Sequence, residues 1–61
     1  MVGISMLDDI IAEVKAMNLS GEKMIGDELL KRVTIYNYVP ASAEEQYRIM
    51  LIHEYRNYKG G

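Results

Sequence analysis

A small all-α domain, three helices joined by short connectors, is predicted by three features of this sequence. Apolar residues recur at three- and four-residue spacings in three successive segments. The breaks between those segments carry turn-forming and capping residues, Ser20-Gly21 and Pro40-Ala41-Ser42. Strand-favouring residues are concentrated in one stretch, Val33–Val39, with no second such stretch in the chain to pair with it, so a strand there would need a second copy of the chain as its partner.

In the first segment Leu7, Ile10, Ile11, Val14 and Met17 form an amphipathic stripe, which predicts a helix from about Met6 to Met17 that ends near Asn18. Ser5 followed three residues later by Asp8 has the form of a capping box, and Asp8 and Asp9 suit the positive end of a helix dipole.

Ser20 is the expected N-cap of the second helix, with Glu22 in its first turn. Ile25, Leu29, Val33 and Tyr36 continue one face, with Met24 and Leu30 beside it, so the helix is expected to reach about Tyr36. Asp27–Lys31 and Glu28–Arg32 are acid-before-base pairs one turn apart. Gly26 costs about 1 kcal/mol against alanine inside a helix. It marks either a close approach of a neighbouring helix or a frayed or late helix start. Val39 precedes the only proline and is pushed towards an extended conformation, so the helix must have ended by then.

Ser42 and Glu45 have capping-box spacing and predict the start of a third helix, which runs to about Tyr58 before Gly60-Gly61 terminates it. Tyr47, Met50, Leu51, Tyr55 and Tyr58 form its inward stripe, and Ile49 and Ile52 fall outside that stripe. The Gly-Gly end resembles that of ubiquitin-like modifiers, but the β-grasp pattern of strands is missing.

The chain of 61 residues reads as a single domain, 1–61. A domain of this size buries only about 60% of its unfolded surface and ordinarily needs disulfides, a metal or oligomerisation. It has no cysteine, so homo-oligomerisation is the expected way to complete the core. Net charge is −2, from nine acids and seven bases without a basic block, which disfavours nucleic acid as a partner. The longest uncharged run, Val33–Ala43, falls far short of the ~20 apolar residues of a membrane span. No signal peptide is expected at the N-terminus, and the expected location is cytoplasmic.

No residue set points to catalysis. His53, the single histidine, has Ile49, Arg56 and Asn57 as its helical neighbours, which make neither a metal set nor a triad, and it is expected to be structural or exposed. Asp8, Asp9 and Glu13 read as surface charges at a helix start, since the ligand spacing of a calcium loop is missing. The five methionines read as core fillers or interface residues, so neither metal nor cofactor is expected. The five tyrosines supply all the aromatic content and suit places where a core meets solvent or another chain. The residues expected to interact are Tyr36, Tyr38, Ile49, Ile52, Tyr55 and Arg56. The function expected is that of a non-enzymatic helical interaction module that self-associates, as a homodimer, or docks on a partner protein.

The run Thr34-Ile35-Tyr36-Asn37-Tyr38-Val39-Pro40, followed by acids, resembles the recognition-helix end of TetR-type DNA-binding domains. These carry a threonine or serine, an aliphatic residue, an aromatic pair and a short turn before the next helix. The resemblance covers about twelve residues. The family's Ala-Gly turn is replaced by Leu30-Lys31-Arg32, and its lysine after the aromatic pair is absent from Ala41-Ser42-Ala43. The resemblance implies an alternative function as a compact helix-turn-helix DNA-binding regulator.

Overall fold

The computed structural model describes residues 4–59. They form α1 (Ile4–Ala16), α2 (Glu22–Thr34), a single 3-10 turn (Ala41–Ala43) and α3 (Glu44–Arg56), with no strand among the described residues. This is the expected all-helical, three-helix arrangement. α2 and α3 form an antiparallel hairpin: Glu22, at the start of α2, pairs with Arg56, at the end of α3. Gly26 meets Arg48 and Ile52 further along.

One core holds the three helices together. α1 contributes Ile10, Ile11 and Val14, α2 contributes Leu29, Leu30 and Val33, and α3 contributes Leu51. Val39, from the connector after α2, is buried with them. Leu7, Leu19, Ile25, Tyr47, Tyr55 and Tyr58 pack around this cluster half-buried. Arg32 fastens α2 to α1. Its Nη1 donates to Glu13 Oε1 at 2.6 Å, while its Nε donates to Glu28 Oε2 at 3.0 Å. Lys15 of α1 sits 4.0 Å from the centroid of the Tyr55 ring on α3, a cation–π contact.

The helix boundaries correct several expectations. α1 already includes Ile4 and Ser5, so Ser5 is not its cap, and Asp8 and Asp9 fall beyond the first turn. What precedes Ile4 lies outside the described residues, as do Gly60 and Gly61. α1 closes with tightened bonds, Met17 N–H to Val14 O and Asn18 N–H to Lys15 O, and Asn18 takes a left-handed φ of 54°. Asparagine tolerates that conformation at a helix C-terminus better than most residues.

The N-cap of α2 is Gly21, not Ser20. Its φ of 92° is a conformation that glycine adopts without the Cβ penalty. α2 ends at Thr34, two residues short of Tyr36. The N–H groups of Tyr36 and Asn37 both bond to Val33 O, so the last turn closes there. α3 starts at Glu44 after a 3-10 turn in which Ala43 N–H bonds to Pro40 O at 2.9 Å. Ala43 is the N-cap, and no side chain caps the helix, Ser42 included. α3 ends at Arg56, short of Tyr58.

One pairing expectation also changes. Glu28–Arg32 forms as expected, but Asp27 turns to Lys23 and Arg48 instead of Lys31. Met50 is exposed and takes no part in the inward stripe, and Met6, Met17 and Met24 are exposed too, so these methionines are not core fillers.

Candidate interaction surface

Gly26 is buried where α2 crosses α3. A Cβ at this position would stand 2.5 Å from Cγ of Arg48 and 3.0 Å from Cδ1 of Ile52. The missing side chain therefore lets both residues lie against the α2 backbone, which settles the two readings of Gly26 in favour of close approach. Ile52 is drawn half into the interface by this contact. Ile49, one turn earlier on the same side of α3, stays 61% exposed.

The result is a shallow groove between the start of α2 and the length of α3 from Glu45 to Arg56. Its apolar floor is Ile49 and Ile52. One half of it, of about 340 Å³, is edged by Glu22, Lys23, Glu45 and Arg48, and the other by Glu22, His53 and Arg56. The rim is charged but internally paired. Glu22 meets Arg56. Lys23 Nζ lies 3.1 Å from Asp27 Oδ2, Arg48 Nε lies 3.0 Å from Asp27 Oδ1, and Arg48 Nη1 donates to Glu45 Oε1 at 2.7 Å. The hydrogen bond from Lys23, helped by the charges of Lys23 and Arg48, holds the Asp27 carboxyl below the usual carboxylate range.

The residues expected to interact do not form one surface. Ile49, Ile52 and Arg56 share the groove. Tyr36 and Tyr38 are exposed in the connector between α2 and α3 and do not line the groove. Tyr55 is half-buried against the core beneath Lys15, about 120° around α3 from Ile49 at 100° per residue. His53 is exposed on the groove's edge, where the Asn57 side chain donates to its carbonyl at 2.8 Å.

Sequence reasoning missed the partners of this surface on α2, Glu22 and Lys23, because only the register of the hairpin brings them to α3. It also missed Ile35, which is 71% exposed beside the tyrosines. The position of Ile35 off the Leu29–Val33–Tyr36 face was the available signal. No grouping of three or more histidine, aspartate or glutamate residues suited to a metal occurs among the described residues. No helix among them is long and apolar enough to cross a membrane. Comparison with protein-family models, with curated proteins and with solved structures gave no match.

Proposed function

We propose that this chain is a small, non-enzymatic interaction module that binds protein through the α2–α3 groove. The observation that carries the reading is Ile49, an aliphatic side chain left largely in water beside half-buried Ile52. Single exposed apolar residues are ordinary on a protein surface. Here, however, two isoleucines lie on one floor, flanked by a charged rim, in a domain whose core rests on few large side chains. Covering them removes apolar area from water at about 25 cal/mol per Å².

The alternative reading as a DNA-binding regulator draws less support. Of the seven bases, Lys23, Arg32, Arg48 and Arg56 each have a carboxylate within ion-pair distance, which neutralises much of the positive field a phosphate backbone would need. Thr34, where the resemblance to a recognition-helix end begins, bonds through its hydroxyl to Lys31 O at 2.9 Å.

Photo-crosslinking in cells tests the proposal. A photoreactive residue at position 49 should give a discrete protein adduct, whereas the same residue at exposed Ala12 on α1 should not. Equal, diffuse labelling from both positions would contradict it.

A further inference from the structure

The groove face of α3 has an order of residues that complements itself. Glu45, Ile49, Ile52 and Arg56 follow one another along the edge that borders the groove. At 100° per residue they fall within about 60° of one another around the helix. The sequence of chemistry along that edge is acid, apolar, apolar, base, and the Glu45–Arg56 and Ile49–Ile52 pairs share one midpoint along the helix. Two copies of α3 laid antiparallel about that midpoint bring Ile49 of each copy level with Ile52 of the other. The same placement sets Glu45 of each copy level with Arg56 of the other, because each residue advances a fixed 1.5 Å. Glu45 and Arg56, with side chains 75% and 65% exposed, would share their own-chain partners Arg48 and Glu22 with the other copy.

We infer that the occupant of the groove is a second copy of this chain, bound as an antiparallel α3–α3 pair about a two-fold axis between Ile49 and Ile52. The inference rests on the reading of the groove as an interaction surface and names its partner. A two-fold interface must be self-complementary, with each contact made twice, and this edge meets that requirement in both its apolar and its charged residues. A parallel pair would set Glu45 against Glu45 and Arg56 against Arg56, so charge also selects the orientation. The contact is built on a helix of about 20 Å, which puts it at the small end of protein interfaces, among weak and transient contacts.

Charge reversal followed by mixing tests this pairing. Glu45→Arg and Arg56→Glu chains are prepared separately, both in a Glu22→Gln background so that residue 56 meets no repelling carboxylate within its own chain. Helicity by circular dichroism verifies that each remains folded. The parent Glu22→Gln chain should show a concentration-dependent mass in sedimentation from about 10 µM to about 1 mM. Each reversed chain alone brings like charges together twice and should dimerise at least about fivefold more weakly. An equimolar mixture of the two restores both opposite-charge pairs in the heterodimer and should recover the parent affinity. A parent chain and wild type that stay monomeric throughout would overturn self-pairing, while the crosslinking at position 49 still decides whether a different protein occupies the groove. Dimers whose reversed chains show no gain on mixing would overturn the antiparallel register.

Discussion

The side chain of Arg48 lies across the α2 backbone at Gly26, so near that a Cβ there would fall 2.5 Å from its Cγ. The same arginine reaches on to Asp27 and Glu45, so one residue both packs on α2 and organises the groove's rim. The Cγ is close to the α3 backbone and not the loose end of a chain, which leaves it little room to retreat.

Gly26→Ala is therefore expected to destabilise the domain. Alanine gains about 1 kcal/mol in helix propensity, but overpacking a tight contact costs about 1–3 kcal/mol, so the net loss is of order 1 kcal/mol. Chemical denaturation checks the sign. A more stable variant would mean that α2 and α3 are not pressed together at this point.

Ser42→Ala is expected to change stability by less than about 0.5 kcal/mol, as at an unremarkable surface position. Ser42 lies within the 3-10 turn, and α3 has no side-chain cap. A loss of about 0.5–2 kcal/mol in thermal or chemical melts would instead identify its hydroxyl as a true cap.

Asp27 predicts a pH dependence of defined sign. Its folded pKa lies below the ordinary 3.8, chiefly because Lys23 donates a hydrogen bond to it. The unfolded chain then binds the proton more readily than the folded one, so the carboxylate's contribution is fully present above the unfolded value and is lost as pH falls through the folded value. Compared with Asp27→Asn, the wild type should hold a constant advantage at neutral pH that shrinks as the pH drops below 3.8. Parallel melts across that range measure it, and a difference that grows on acidification would contradict the Lys23–Asp27–Arg48 arrangement.

Much of the fold was legible because periodicity reports burial directly. Ile10, Ile11 and Val14 on α1, and Leu29 and Val33 on α2, sit in the core as their spacing predicts. Helix ends were less legible, since several local chemistries compete for the same backbone groups. Ser20 gave way to Gly21, whose positive φ starts α2. Ser42 gave way to the 3-10 turn that begins after Pro40, where Ala41 O accepts the N–H of Glu44, one of the donors a serine cap could have taken. Val39 was read only as the extended residue before proline, yet that conformation returns the chain to the core and buries its side chain. The apolar floor of the groove was legible as Ile49 and Ile52 lying off the inward stripe. Its charged wall was not, because Glu22 and Lys23 reach it only through the antiparallel register of α2 and α3.

A dilution series of the isotopically labelled chain, followed by amide chemical shifts from about 1 mM to about 10 µM, tests most directly whether the α3 edge is a self-pairing surface. The amides of Glu45, Ile49, Ile52, His53 and Arg56 should move together along one binding curve, while those of Tyr36 and Tyr38 stay in place. Shifts concentrated at Ile35–Tyr38, or no dependence on concentration anywhere, would contradict it.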